Sequence, residues 1–315
     1  MTFSIVARDP ATGDLGVAVQ SKFLAVGAVV PWARAGVGAI ATQAFAKVGY
    51  GPAGLHLLAA GLAADEALAR LLADDDLRDE RQVGIVDARG GSASHSGRGC
   101  FAWAGGRTGP GFAAQGNILA GAGVVDGLAD TFLAGGLPFP ELLVACLAAA
   151  DAAGGDRRGR ESAALLVVRA GGGYGGGNDR LIDLRVDHHD DPIGELARLV
   201  SLQHLYFDRP TTDELQALDE ATAREMRSTL EALDAAPGGR FGAVYAPMSG
   251  EPASDDAAPR PFVGSPRPYP PGWDETWQRA LDDWMAVENL EERAAAPGWI
   301  DGRVLDVLRA RVRPG

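Results

Sequence analysis

The chain has 315 residues, 46% hydrophobic and 23% charged, enough apolar material for one large core or two smaller ones. Its 43 glycines follow no three-residue period and no apolar run reaches the roughly 18 to 20 residues that span a bilayer, which excludes collagen-like and membrane-helical classes. A formal charge of −13 would repel phosphate backbones and anionic lipid, so neither nucleic acid nor a membrane is an expected partner.

The opening residues Met-Thr-Phe-Ser-Ile-Val-Ala-Arg-Asp show no basic leader, apolar stretch or small-residue cleavage site, and the expectation is a cytoplasmic protein. Phe3 to Ala7 and Leu15 to Val19 read as a β-hairpin closed by Asp9-Pro10-Ala11-Thr12-Gly13-Asp14. Ala28 to Ala33 and Val37 to Thr42 read as a second pair around Arg34-Ala35-Gly36. From Pro52 to Leu72, leucines at helical spacing predict two helices, broken at Gly61, with Asp65 capping the second. Val83 to Asp87, Ser92 to His95 and Gly111 to Gln115 predict strands; Gly123 to Ala134 and Pro138 to Ala153 predict helices. Leu165 to Arg169 and Leu181 to Val186 predict strands, and Pro192 to His204 a helix. Strands and helices come in runs, not in alternation, so the fold class is α+β: two antiparallel sheets with helices outside.

Past Phe207 the pattern changes. Thr211 to Leu233 predicts one helix, with Thr211 and Glu214 at capping-box spacing. Nine prolines lie between Pro237 and Pro271, which predicts an extended insertion. Helical spacing returns at Trp277, Leu281, Trp284 and Met285, and again at Val304 to Leu308 after an Asp301 cap. Four of the six tryptophans lie beyond residue 272, which marks the tail as a module with its own core. The expected domains are 1–209 and 210–315, the second carrying the insertion 237–271.

Thr2 is the candidate with the most chemistry. Loss of Met1 would leave a free α-amine beside the threonine hydroxyl, at the first residue of a strand. An α-amine with a pKa near ~7.7 to 8.0 can serve as general base for its own Oγ, with no histidine. The bland alternative, an ordinary Met-Thr start, stands beside it.

Six motifs fall in order along residues 1–207: Thr2-Phe3-Ser4-Ile5-Val6-Ala7-Arg8-Asp9, Gly16-Val17-Ala18-Val19-Gln20-Ser21-Lys22, Val30-Pro31-Trp32-Ala33-Arg34-Ala35-Gly36, Ala41-Thr42-Gln43, Gln115-Gly116-Asn117-Ile118-Leu119-Ala120-Gly121 and Gly154-Gly155-Asp156-Arg157-Arg158-Gly159. In these the chain resembles the domain-of-unknown-function family 1028, grouped with the N-terminal-nucleophile (Ntn) hydrolases of proteasome-like fold. The resemblance implies a four-layer αββα sandwich and an amidohydrolase that cleaves an amide or peptide-like bond through an acyl-enzyme on Thr2, without metal or organic cofactor. It names no substrate. Where proteasome-like chains keep an acidic partner and a lysine, this sequence has Gln20-Ser21-Lys22 and a lysine-free strand. Lys22 then either supplies positive charge or is a surface ammonium. Gln43 stands at the oxyanion position, or simply ends a strand. Asn117 reaches the amine or carbonyl, or occupies a turn. Asp156 steadies the site, or forms a loop ion pair, and Arg157 and Arg158 would bind a substrate carboxylate bidentately.

Rival constellations are thinner. Residues 187–191, Asp-His-His-Asp-Asp, resemble a metal cluster, but neighbours on a strand face opposite ways. His95 and Cys100 have no fixed geometry for a thiol nucleophile, and Gly171 to Gly177 lacks the Lys-Ser/Thr of a phosphate loop. The tail, around Trp284 to Arg293 and Ile300 to Leu308, resembles a peptidoglycan-binding module, which implies a cell-wall fragment as partner; a helical module packed on another surface is the alternative. Few aromatic anchors and the resemblance together predict a homo-oligomer, most simply a dimer. A non-catalytic Ntn-fold binding or scaffold protein is the competing functional reading.

Overall fold

In a computed structural model, residues 2–240 and 262–312 are described. The chain separates into two compact units, Met1–Val200 and Ser201–Gly315. The centre of the proline-rich insertion, 241–261, lies outside the described residues.

The first unit opens with β1 (Thr2–Arg8) and β2 (Leu15–Ser21), paired antiparallel so that Thr2 faces Ser21. The turn is held by Asp9, whose carboxylate accepts from Ala11 N at 2.9 Å and Thr12 Oγ at 2.7 Å, with Gly13 at φ +81°. A 3-10 turn at Val26–Ala28 precedes β3 (Pro31–Arg34), so the expected strand from Ala28 starts later; Ala25 sits at φ +52° and the chain is still turning there. β4 (Gly38–Ala44) follows, then α1 (Tyr50–Ala59) and α2 (Ala64–Ala73). The cap of α2 is not Asp65, which lies in its first turn; Glu66 Oε2 accepts from Ala63 N at 2.9 Å and satisfies an otherwise orphaned donor.

β5 (Arg81–Asp87), β6 (Ser92–Ser96), β7 (Gly105–Gly109) and β8 (Phe112–Asn117) come next. β7 escapes sequence reading because Gly-Gly-Arg-Thr-Gly has no apolar alternation; pairing with β8 defines it. Then come α3 (Gly123–Ala134), α4 (Phe139–Ala152), β9 (Ser162–Val168), β10 (Arg180–Val186) and α5 (Pro192–Phe207). The strands form a six-stranded antiparallel sheet, β10-β9-β2-β1-β8-β7, and a four-stranded one, β3-β4-β5-β6.

Alternation along the strands sorts residues into three cores. Phe3, Ile5 and Leu165 pack with Leu128 of α3 and Leu143 and Leu147 of α4. Val6, Val17 and Leu166 of the large sheet pack with Ala39, Ala41 and Val86 of the small one. Ile40, Val83 and Ile85 pack with Leu58 of α1 and Leu68 and Leu71 of α2. Strands buried on both faces explain why most of β2 and β9 reads as a continuous apolar run.

In the second unit the expected helix Thr211 to Leu233 is divided. Thr212–Glu214 is a 3-10 turn, Leu215–Ala217 is β11, and α6 (Glu220–Ala232) starts at Asp219, whose side chain accepts from Thr222 N. The Thr211–Glu214 box exists but caps the short turn, with Thr211 N donating to Glu214 Oε2 at 2.8 Å. α7 (Glu275–Val287), β12 (Trp299–Asp301) and α8 (Gly302–Val312) complete the unit, and β12 pairs with β11. Asp301 caps α8 through Arg303 N and Val304 N. Met226, Leu230, Trp273, Trp284, Met285, Val304 and Leu308 share the core. Arg293 is buried beside it, its guanidinium on Asp301 at 2.7 Å and Glu214 at 3.0 Å. No described helix is long and apolar enough to cross a membrane.

One buried ion pair fixes the segment after β4. Asp75 accepts from Arg81 Nε at 2.9 Å, Tyr50 Oη at 2.6 Å and Leu77 N at 3.1 Å, while Arg81 also donates to Phe45 O. The Arg81 hydrogen bond holds the Asp75 carboxyl well below the usual carboxylate range, and burial, then the Asp75 bond, pushes the Tyr50 phenol above its usual range. A depressed carboxyl stabilises fully above about pH 4, and that contribution is lost as pH falls through the folded value; a raised phenol stabilises fully below about pH 10 and loses its contribution as pH rises further. Asp75→Asn leaves Arg81 buried without its counterion and is expected to cost on the order of 3 kcal/mol, with a shallower loss of stability below about pH 4 than in the parent. Tyr50→Phe should flatten the alkaline limb instead. Urea melts across pH check both, and an unchanged acid slope in Asp75→Asn would refute the assignment.

Candidate functional site

Thr2, Ser4 and Val6 share the face of β1 that looks toward the small sheet. Around Val6 that interior is apolar; toward Thr2 it turns polar, lined by Ser4, Ser21, Gln43, Gln82, Gln115 and Asn117, all buried. Thr2 is 6% exposed, and its Oγ lies 3.0 Å from Ser21 Oγ. Asn117 stands opposite Thr2 on the other neighbouring strand.

The amides form a directional network. Gln115 Nε2 donates to Ser4 Oγ at 2.7 Å, and Ser4 Oγ donates to Gln43 Oε1 at 2.7 Å. Gln43 Nε2 donates to Gln82 Oε1 at 2.9 Å and to Thr2 O at 3.3 Å, while Asn117 Nδ2 reaches the same Gln82 oxygen at 2.8 Å. Gln82 Nε2 passes on to Ser96 Oγ and Gly116 O, each at 2.7 Å. Each amide therefore has a defined flip. Gly84 makes room: a Cβ there would lie 2.1 Å from Gln115 Oε1. That oxygen and both amide atoms of Gln20 are buried and unpartnered among the described residues.

A loop closes the end of the strands. Asp156 Oδ2 accepts from Lys22 N at 3.0 Å, just past β2, and Asp156 pairs with Leu119, just past β8. Arg157 N donates to Ile118 O and Ala120 N to Gly155 O. Since β1 runs between β2 and β8, residues 155–158 tie together both neighbours of Thr2. Gly154, Gly155 and Gly159, all at positive φ, let the chain turn there.

Of the residues singled out from sequence, Thr2, Gln43 and Asn117 meet, and Gln43 enters through its side-chain amide. Asp156 is buried at 7% exposure and binds backbone N–H groups of Lys22 and Arg158. The Lys22 ammonium goes to Glu161 at 2.6 Å and Arg160 O at 3.0 Å, and makes no hydrogen bond to Thr2 among the described residues. Hydrogen bonds from Lys22 and His188 hold the Glu161 carboxyl below its usual range. The two arginines part company. Arg158 lies 3.5 Å from Asp156, whereas the exposed Arg157 guanidinium has no partner among the described residues.

Ser4, Ser21, Gln82 and Gln115 complete the site and were not singled out as site residues. Their signal was polar side chains at alternate positions of otherwise apolar strands, as in Thr2-Phe3-Ser4-Ile5 and Gln82-Val83-Gly84-Ile85. The rivals disperse. His95 Nε2 contacts Arg78 O and Cys100 Sγ contacts Arg81 O, with burial pushing the Cys100 thiol up. His188 pairs with Glu161 and His189 accepts from Asp191 N; among the described residues no three His, Cys, Asp or Glu side chains gather to hold a metal.

Residues 2–196 match the model of a "Family of unknown function (DUF1028)", and residues 267–308 match that of a "Putative peptidoglycan binding domain". Among solved structures, the chain is similar to a DUF1028 protein from Silicibacter pomeroyi, at 32% identity and a TM-score of 0.60, over 64% of this chain and 86% of that one. No curated protein matches.

Gln82→Leu keeps the volume but orphans the Gln43 and Asn117 amide donors and Gly116 O. The expected cost is on the order of 3 kcal/mol, read as a fall of roughly 6 to 12 °C in melting temperature for a unit of this size. A loss under about 1 kcal/mol would mean that water replaces Gln82 and the network is slack.

Proposed function

The chain belongs to the DUF1028 family, and we propose from its geometry that it is an Ntn amidohydrolase whose nucleophile is Thr2 Oγ, exposed with its α-amine when Met1 is removed. The observation that carries this reading is a buried threonine hydroxyl on the first strand, 3.0 Å from a second hydroxyl and set in a layer of fixed amides between two sheets. The three cores described above are those that a four-layer αββα sandwich requires, with α3 and α4 outside the large sheet and α1 and α2 outside the small one.

In the proposed reaction the α-amine takes the Oγ proton as Oγ adds to an amide carbonyl. The tetrahedral oxyanion collapses, the C–N bond breaks, and the ammonium returns the proton to the leaving amine. Water, deprotonated by the same amine, cleaves the acyl ester. Ser21 Oγ orients the nucleophile, and the Asn117 side-chain amide, which gives one N–H to Gln82, offers its other to the developing charge. No metal or organic cofactor enters.

A non-catalytic binding role is favoured by one observation: among the described residues no carboxylate, imidazole or ammonium hydrogen-bonds Thr2 Oγ. The 267–308 match supports a cell-wall fragment as ligand of the second unit. A homodimer remains part of the proposal, tested by light scattering.

Intact mass should show Met1 absent, and a screen of amides, lactams and short peptides should give turnover that Thr2→Ala lowers at least about a thousandfold. Retention of Met1 in folded protein, or turnover undiminished in Thr2→Ala, would refute the nucleophile.

A further inference from the structure

Three exposed phenylalanines lie on different segments near the strand ends that carry the polar layer. Phe23 follows Ser21 by two residues and is 54% exposed; Phe45 follows Gln43 by two residues and is 62% exposed. Phe101 is 76% exposed, and its carbonyl accepts from Ile118 N, next to Asn117. Single exposed apolar side chains need no explanation, but each of these three lies just past, or is hydrogen-bonded to the chain just past, a strand whose end carries a residue of the polar layer: Ser21 of β2, Gln43 of β4 or Asn117 of β8. Phe23 is held there, with Phe23 O accepting from Ser162 Oγ, as is Phe45, with Phe45 O accepting from buried Arg81.

The charge at the same end is equally selective. Lys22 is neutralised by Glu161, Arg160 by Asp151 at 2.6 Å, and Arg158 by Asp156. Arg157 alone of these four has no anionic partner among the described residues. Its backbone is pinned to Ile118 O, beside Asn117, so the side chain starts at the end of β1's neighbour. In a chain of net charge −13, a positioned and unpaired guanidinium beside an apolar rim calls for an anion that carries apolar surface.

Resting on the hydrolase reading above, we propose that the substrate is an N-acyl amino acid: its apolar acyl group lies against Phe23, Phe45 and Phe101, its carboxylate pairs with Arg157, and its amide lies at Thr2. Attack at that amide yields a fatty or aromatic acid and the free amino acid. Arg158 has no part in recognition, because its guanidinium is committed to Asp156.

The test is calorimetric binding of N-octanoylglycine, its neutral glycinamide and N-acetylglycine to the full-length protein and to its Thr2→Ala form, with light scattering alongside. N-octanoylglycine should bind at least about tenfold more tightly than either comparator. Arg157→Gln should erase the preference over the glycinamide and leave glycinamide binding unchanged, and Phe45→Ser should weaken both octanoyl ligands. Equal binding of the glycinamide, insensitivity to Arg157→Gln, equal binding of N-acetylglycine or no binding at all would each overturn the proposal. So would Phe23→Ser and Phe45→Ser splitting a dimer without altering affinity, which would make the rim a contact between copies. Selective binding without Thr2-dependent cleavage would support the ligand and reject the hydrolase; Thr2-dependent cleavage of neutral amides alone would do the reverse.

Discussion

The Gln82 carboxamide is the pivot of the first unit. Its oxygen receives both Gln43 and Asn117, and its nitrogen reaches Ser96 and Gly116 O, so one side chain ties the two sheets together and links strands β4, β5, β6 and β8. Burying an amide without partners costs about 1 to 3 kcal/mol, so such a layer persists only if nearly every member is satisfied. Satisfaction in turn dictates register. A one-residue slip of β5 would turn Gln82 outward and bring Val83 into the polar layer. The apolar core around Val6 and Val86 gives the unit its stability; the polar end gives it a single alignment.

That division explains what could be read from the amino acids. The strands and helices that carry apolar periodicity, such as β1, β2, α3 and α4, are legible because burial demands the pattern. β7 is not, since its five residues hold no apolar side chain to pack and exist as a strand only through β8. The single helix expected over Thr211 to Leu233 fails for a related reason. Leu215 and Leu218 fit a helical stripe, yet both are buried through a strand and its exit, and Asp219 captures the true helix start. Local spacing cannot tell these apart, because the partner strand β12 lies more than eighty residues away.

Three residues of the candidate site could be read from the sequence, and most of their surroundings could not. Thr2, Gln43 and Asn117 stood out through motif position, but the partners that hold them are serines and glutamines on alternating positions, which look like ordinary strand polarity. Lys22 stood out only as the cation nearest the position where the resemblance expects one. Its charge is drawn to Glu161 because the partly exposed ammonium and carboxylate meet with little desolvation, whereas moving that charge into the amide layer would cost several kcal/mol.

That no charged side chain among the described residues hydrogen-bonds Thr2 Oγ bears on the proposed base. At an effective dielectric constant near 20, an ammonium about 4 Å away would interact with a protonated α-amine by about 4 kcal/mol, enough to lower its pKa by roughly three units. An amine so depressed would be a weak base. Amides and hydroxyls orient the hydroxyl through dipoles and impose no such net field. A neutral cradle thus suits the proposed nucleophile, which would carry its own base. The cation is better placed at Arg157, on the exposed rim, where it can meet a substrate's charge without disturbing the group that moves the proton.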